Sequence, residues 1–144
     1  MNHWLIKSEP ATYSIDDLKR DDHTSWEGVR NYQARNFMRD GMKKGDLVLF
    51  YHSNAEPPGV AGVCRIKKEG YPDTAAKEKG WILVDVEFVE KFKHFVPLDE
   101  LKADKKLTGM LVIRRGQRLS VQPVEKAHFD TVVNLGQQDI KCRK

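Results

Sequence analysis

Apolar and polar residues alternate in several short runs of this chain, and this alternation predicts β-strands. A period of two residues places every second side chain on the same face of a strand. In the longest run, 81–95, apolar side chains alternate with Asp85 and Glu87, which gives one apolar and one polar face. The predicted strands are 3–7, 47–52, 60–68, 81–95, 110–113 and 119–124.

Short helices are predicted between these strands. Ser14 is a suitable N-cap, and the carboxylates of Asp16 and Asp17 stabilise the positive end of the helix that follows. A clearer helix begins at Asn31 and ends near Gly41, and its apolar residues are spaced to form one buried stripe. That stripe consists of Ala34, Phe37, Met38 and Met42. Two further helices are predicted at 99–103 and 125–136.

These elements predict an α+β fold. Five or six strands, turns every ten or so residues and a few short helices favour a small mixed β-barrel flanked by the helices. The 144 residues fall in the usual range for one domain, so we expect a single domain over 1–144. The chain has no βαβ rhythm and no glycine-rich phosphate loop.

Composition narrows the class of protein. No apolar run approaches the roughly 18 residues of a membrane helix, and the first residues lack the pattern of a secretory signal. The two cysteines, Cys64 and Cys142, fit a reduced compartment, so we expect a cytoplasmic protein with Cys64 as a core residue. The net charge of +4 is too small to indicate nucleic-acid binding by itself.

The segment 24–36, TSWEGVRNYQARN, carries the strongest indication of function. Trp26 and Tyr32 can stack on a flat ring, and Asn31 offers both a donor and an acceptor. Arg30 and Arg35 can contact phosphate or stack on a base. This combination suits a nucleobase pocket. A single tryptophan is more often part of a core, and only the polar neighbours of this one favour a site.

Arg35, Arg39 and Lys43 follow one another at intervals of four on the predicted helix. They can form a phosphate-binding row, or simply a solvated helix surface. Their position directly after the aromatic segment leaves the two interpretations evenly balanced.

Three strand ends carry hydrogen-bonding side chains that a barrel can bring together. Each is weak evidence alone, because polar residues at the end of a strand are ordinary. The candidate groups are Lys7, Ser8 and Glu9; Tyr51, His52 and Ser53; and Arg118 with Ser120.

Metal binding and covalent catalysis have no signature in the sequence. The five histidines are scattered, with no pair at ligand spacing beside a cysteine or carboxylate pair. No GxSxG motif is present, and Cys64 has no neighbouring histidine. We expect no metal and no cofactor.

Several motifs together resemble the EVE domain family. The match extends over nearly the whole chain, and some blocks are long and specific. The motifs are WLIKSEP at 4–10, YSIDDL at 13–18, WEGVRNYQARN at 26–36, GDLVLFYHS at 45–53, PGVAG at 58–62, YPD at 71–73 and RLSVQPV at 118–124. One departure is that members of the family usually carry a longer segment with a YYDPK-like stretch after YPD, whereas here only the seven residues TAAKEKG separate Asp73 from Trp81.

The resemblance implies a PUA-like barrel, similar to YTH readers of methylated adenine and to ASCH domains. It also implies a reader of a modified base, in DNA with modified cytosine or in RNA. By position, Trp26, Asn31 and Tyr32 would line the base pocket, with Lys7, Ser8 and Glu9 at its floor or wall. Tyr51, His52 and Ser53 would lie opposite, and Arg118 and Ser120 near the rim.

Three functions stay open at this point. The first is a non-catalytic, monomeric reader that flips a modified base out of DNA or RNA and holds phosphates with Arg30, Arg35, Arg39 and Lys43. The second is an ASCH-like hydrolase of a modified nucleoside that uses Lys7 and Glu9. The third is a general RNA-binding or protein-interaction module without a base pocket.

Overall fold

A single mixed sheet organises the molecule. The computed structural model describes residues 2–26, 29, 31–75, 79–114 and 119–137. The strands are β1 (His3–Ser8), β2 (His23–Trp26), β3 (Leu47–His52), β4 (Gly59–Pro72), β5 (Ile82–Pro97) and β6 (Val121–Val124). Their order is β2-β5-β4-β3-β1-β6. Only β1 and β3 pair in parallel, and the other neighbours are antiparallel.

The sheet is barrel-like but open. No ladder in the described part of the chain joins the two edge strands, β2 and β6. The predicted α+β class, with six strands and short flanking helices, is therefore confirmed. The helices are α1 (Ile15–Asp21), α2 (Tyr32–Asn36), which continues into a π-helical segment (Phe37–Gly41), α3 (Leu98–Ala103) and α4 (Lys126–Gln137).

Two hydrophobic clusters cover opposite faces of the sheet, as the alternation along β1 requires. Trp4 and Ile6 belong to the first cluster together with residues of α1 and α2, and Leu5 belongs to the second with residues of α3 and α4. The predicted cap of α1 is confirmed, since the Ser14 hydroxyl accepts the Asp17 N–H at 3.2 Å. Cys64 is fully buried in the first cluster, as predicted, and burial raises the pKa of its thiol.

Two predicted elements are wrong. The segment 110–113 is not a strand, because Leu111–Ile113 forms a 3-10 turn that buries Val112. A short apolar run does not distinguish a strand from a helical turn. The segment 21–28, for which the sequence pattern predicts neither a strand nor a helix, contains β2, an edge strand whose side chains are alternately exposed and half-buried. The burial of only one side of an edge strand explains why its sequence is so polar.

Two further details differ from the predicted pattern. Val60 packs in the second cluster although Cys64 packs in the first, because the pairing of β4 with β5 shifts between Val60 and Gly62. The last helix continues one residue past its predicted end at Gly136, and a Cβ at Gly136 would come within 2.2 Å of the Phe92 ring. None of the helices within the described ranges is long and apolar enough to cross a membrane.

Candidate nucleobase site

A cavity of about 600 Å³ opens between the end of β1, the turn that follows it, β2 and the residues before α2. This volume lies within the range of small-molecule sites in proteins, roughly 300–1,000 Å³. Six of the residues predicted from the sequence line it. They are Lys7, Ser8, Glu9, Trp26, Asn31 and Ser120.

Trp26 is both a core residue and a wall of the cavity. Trp26 is the last residue of β2, and its half-buried side chain packs against the first hydrophobic cluster. Its ring meets Phe50 edge-on at 5.6 Å between centroids and Tyr13 edge-on at 6.3 Å. These contacts fix the orientation of the indole, while the rest of its surface lines the cavity. The two interpretations that the sequence left open for Trp26 therefore both apply.

Tyr13 forms a second aromatic wall that the sequence analysis did not single out. The chain turns after β1, and the Glu9 carbonyl accepts the N–H groups of Thr12 and Tyr13 at 2.9 and 2.8 Å. The Tyr13 hydroxyl donates to Asp21 at 2.9 Å. Burial and this hydrogen bond raise the pKa of Tyr13 to about 12, so its hydroxyl stays neutral near pH 7.

The end of β1 supplies polar groups to the same space. The Ser8 hydroxyl donates to the Tyr13 carbonyl at 2.6 Å, so towards a ligand its oxygen can only accept. The Lys7 N–H donates to the Ser120 carbonyl at 2.9 Å, which brings Ser120 beside β1. The Lys7 ammonium lies 5.9 Å from the ring centroid of Tyr51, a residue of the second cluster, and burial there lowers its pKa because it removes water from around the charge.

Asn31 has two tasks at the start of α2. Its side-chain oxygen accepts the Ala34 N–H at 3.0 Å and so caps the helix. Its amide nitrogen makes no hydrogen bond to another described residue, and the side chain lines the cavity. This end of the amide is consequently a donor that a ligand can use.

Four residues predicted for the pocket do not line the cavity. Tyr51 points to the other face of the sheet and is buried in the second cluster, because it alternates with Phe50 along β3. The ring of Tyr32 lies outside, against Trp81. His52 and Ser53 support the site from behind: the His52 Nε2 accepts the Ile15 N–H at 3.1 Å, and the Ser53 N–H donates to the Ser8 carbonyl at 2.9 Å.

The predicted phosphate-binding row is only partly assembled. Arg35 lies beside Tyr32, and Arg39 follows on the π-helical segment, where it pairs with Asp40 at 2.9 Å. Lys43 lies beyond the end of the helix and is exposed. Arg30 and Arg118, the other predicted contacts, lie outside the described residues, as does Cys142.

Five lining residues were missed by sequence reasoning: Thr12, Tyr13, Thr24, Ser25 and Val29. Tyr13 had a usable signal, since an aromatic residue directly before an N-cap serine is fixed by the helix start. Thr24 and Ser25 lie in the segment singled out around Trp26, but the strand that turns them towards the cavity was not predicted. Among the described residues no group of three or more His, Cys, Asp or Glu side chains is arranged to hold a metal ion.

Comparison with known proteins shows the family of this chain. The model of the EVE domain matches residues 2–135. This chain belongs to the EVE domain family. Human thymocyte nuclear protein 1 is 42% identical over 170 residues, covering 96% of this chain and 75% of the human protein. Because the alignment is 170 residues long and this chain has 144, the human protein has at least 26 residues in the matched region that this EVE chain lacks.

Solved structures show the same EVE fold. A protein of Pseudomonas syringae superposes with a TM-score of 0.86 at 41% identity, covering 92% of this chain and 98% of its own. The human protein in complex with DNA containing 5-methylcytosine superposes with a TM-score of 0.85 at 42% identity, covering 96% of this chain and 99% of the human chain in that structure. A YTH domain of Zygosaccharomyces rouxii, in complex with N6-methyladenosine RNA, superposes with a TM-score of 0.60 at 14% identity. The superposition covers 94% of this chain and 86% of the YTH chain, and it supports a shared fold alone.

Proposed function

We propose that this EVE-family chain is a non-catalytic nucleic-acid-binding protein that holds a modified base, with modified cytosine in DNA as its target. The observation that carries the proposal is the cavity beside Trp26, with hydrogen-bonding groups of Ser8 and Asn31 on its walls. The complex of human thymocyte nuclear protein 1 with 5-methylcytosine DNA supports the choice of DNA and of cytosine. RNA with a modified base is the alternative ligand.

The energetics require more than one contact. Moving a base out of a duplex costs a few kcal/mol, and stacking on an aromatic side chain returns roughly 1–3 kcal/mol. Stacking on Trp26 therefore about cancels the cost of flipping, and hydrogen bonds with phosphate contacts must supply the net affinity. A methyl group that fills an apolar niche adds about 1 kcal/mol, which corresponds to about fivefold discrimination against the unmodified base.

The fixed polarity of the cavity walls fits an edge of cytosine. Ser8 offers an acceptor, because its proton is already given to the Tyr13 carbonyl. The amide nitrogen of Asn31 offers a donor. An amino group on the base can donate to the Ser8 hydroxyl oxygen, and a ring nitrogen or carbonyl oxygen of the base can accept from the Asn31 amide nitrogen.

The test is a titration of Trp26→Ala and Trp26→Phe with oligonucleotides that contain one 5-methylcytosine or one cytosine, single- and double-stranded, at fixed salt. RNA of the same sequence provides a further arm. We expect Trp26→Ala to lose at least about tenfold in affinity and its preference for the modified base, whereas Trp26→Phe retains a stacking surface and part of both. Thermal unfolding verifies that both variants are folded. Unchanged affinity and preference in Trp26→Ala would contradict the proposal.

One observation favours a second candidate, hydrolysis of a modified nucleoside. The pKa of Lys7 is lowered by burial, and Lys7 and Glu9 both line the cavity, although the Lys7 ammonium itself lies at the Tyr51 ring, on the other face of the sheet. Against it, the nearby hydroxyl of Ser8 donates to a backbone carbonyl rather than to a base, so it is not activated as a nucleophile. Turnover of N-acylated or alkylated nucleosides that disappears in Lys7→Ala would establish the enzyme. Base flipping, the monomeric state and the cytoplasmic location remain predictions from the sequence.

A further inference from the structure

An exposed tyrosine stands directly beside the cavity. Tyr32 is 65% exposed, the highest exposure of any large hydrophobic side chain among the described residues. It is the first residue of α2, and its neighbour Asn31 lines the cavity. Adjacent Cα atoms are about 3.8 Å apart, so a strand whose base enters the cavity passes close to Tyr32.

The tyrosine ring is held in place from one side. It stacks on Trp81 with 5.1 Å between centroids and an angle of 16° between the planes, and Trp81 itself is only 7% exposed. A stacked pair of this kind fixes the direction of both rings. Tyr32 therefore presents a preoriented aromatic surface rather than a mobile side chain.

The opposite face of the ring is open. The guanidinium of Arg35 lies 5.0 Å from the Tyr32 centroid and 6.0 Å from the Trp81 centroid. If Arg35 and Trp81 covered opposite faces of Tyr32, their separation would approach 10 Å, the sum of the two centroid distances of about 5 Å. They do not enclose the ring between them, which agrees with its high exposure.

Among the described residues, no carboxylate forms an ion pair with the guanidinium beside this ring. Within the described part of the chain, Arg35 donates only to neutral oxygens: its Nε and Nη2 both bond the Oδ1 of Asn36, at 3.1 and 2.9 Å, and its Nη1 bonds the Gly80 carbonyl at 3.3 Å. Arg39, by contrast, is neutralised by Asp40. An open aromatic face next to a fixed, unpaired guanidinium matches the chemistry of a nucleotide, with a base to stack and a phosphate to neutralise.

We propose that Tyr32, supported by Trp81 and flanked by Arg35, is a stacking platform for the unpaired nucleotide adjacent to the base in the cavity. The proposal rests on the proposed function, because it needs a strand that already enters the cavity. It assigns Tyr32 to a second subsite on a single-stranded or locally opened nucleic acid. The cavity, and not Tyr32, distinguishes the modified base from the unmodified one.

The experiment uses single-stranded DNA with one 5-methylcytosine, flanked on both sides either by ordinary nucleotides or by abasic sites. Dissociation constants are measured at fixed salt for the wild type, Tyr32→Ala, Tyr32→Phe and Trp26→Ala. We expect Tyr32→Ala to bind the ordinary oligonucleotide about tenfold more weakly and the abasic one as well as the wild type does. Tyr32→Phe keeps the ring and should bind both like the wild type.

The two proposals fail in different ways. If Tyr32→Ala binds every oligonucleotide like the wild type, or loses as much affinity with flanking abasic sites, the platform is refuted while the preference for the modified base persists. If neither the wild type nor any variant prefers the modified base over the unmodified one, the reader function is refuted instead. Thermal unfolding and the modified-base preference of Tyr32→Ala separate lost stacking from damage to α2, because damage would also remove the preference through Asn31.

Discussion

The bond between His52 and the start of α1 predicts a dependence of stability on pH. The Nε2 of His52 accepts the Ile15 N–H at 3.1 Å, which requires a neutral ring with its proton on Nδ1. Burial lowers the pKa of His52, Asp16 acts in the opposite direction, and Lys91 lowers it further. Protonation would place a second N–H against the Ile15 N–H and break the bond.

The direction of the pH dependence of stability follows from the lowered pKa of His52. Because the pKa of His52 is lower in the folded protein than its ordinary value of 6.5, the unfolded chain takes up the proton first as the pH falls. The stabilisation is complete above about pH 6.5 and is lost as the pH falls below it. A part-buried N–H left without an acceptor costs roughly 1–3 kcal/mol, and uptake of one proton can change the free energy of unfolding by at most about 1.4 kcal/mol per pH unit, so we expect a loss of about 1–2 kcal/mol by pH 5.

The assay is urea unfolding of the wild type and His52→Gln at several pH values between 7.5 and 5. The glutamine side-chain oxygen can accept near the position of Nε2 but does not titrate, so the variant is the matched control. His3, whose pKa burial also lowers, is present in both proteins and cancels in the comparison. Parallel pH profiles for the two proteins would refute the reasoning.

Two further predictions concern charge. Arg35→Gln should weaken binding of modified and unmodified DNA alike and make the slope of log K against log salt concentration shallower by about one. Arg39→Gln should change both quantities less, because Asp40 already pairs with Arg39. Equal effects of the two variants in salt-dependent titrations would contradict this. Asp46→Ala should lower the free energy of unfolding in urea by at least about 2 kcal/mol, because the buried carboxylate accepts the Trp4 Nε1–H at 3.0 Å and the Lys43 N–H at 2.9 Å. A loss below about 0.5 kcal/mol would argue against that role.

The sequence predicted most of the sheet because its local pattern and its tertiary environment agree. In β1 the alternation of Trp4, Leu5 and Ile6 places them in two clusters on opposite faces, as the pattern indicates. The edge strand β2 has no such alternation of apolar residues, and only pairing with β5 makes it a strand. Local sequence does not contain that information.

The site was predictable where its residues lie together in one segment of the sequence, and less so where a side chain's role depends on distant parts of the chain. Trp26 and Asn31 line the cavity as expected. His52, expected in the pocket, instead accepts a backbone N–H of α1, and Tyr51 follows the alternation of β3 into the second cluster. Both outcomes depend on which face of the sheet and which helix start lies nearby, and these are properties of the assembled fold.

The most direct measurement of the central claim is a structure of the protein bound to an oligonucleotide with one 5-methylcytosine. We predict that the modified base lies in the cavity, with its ring against Trp26 and its edge within hydrogen-bonding distance of Ser8 and Asn31. A bound oligonucleotide whose modified base remains in its stack, with the cavity filled only by solvent, would contradict it.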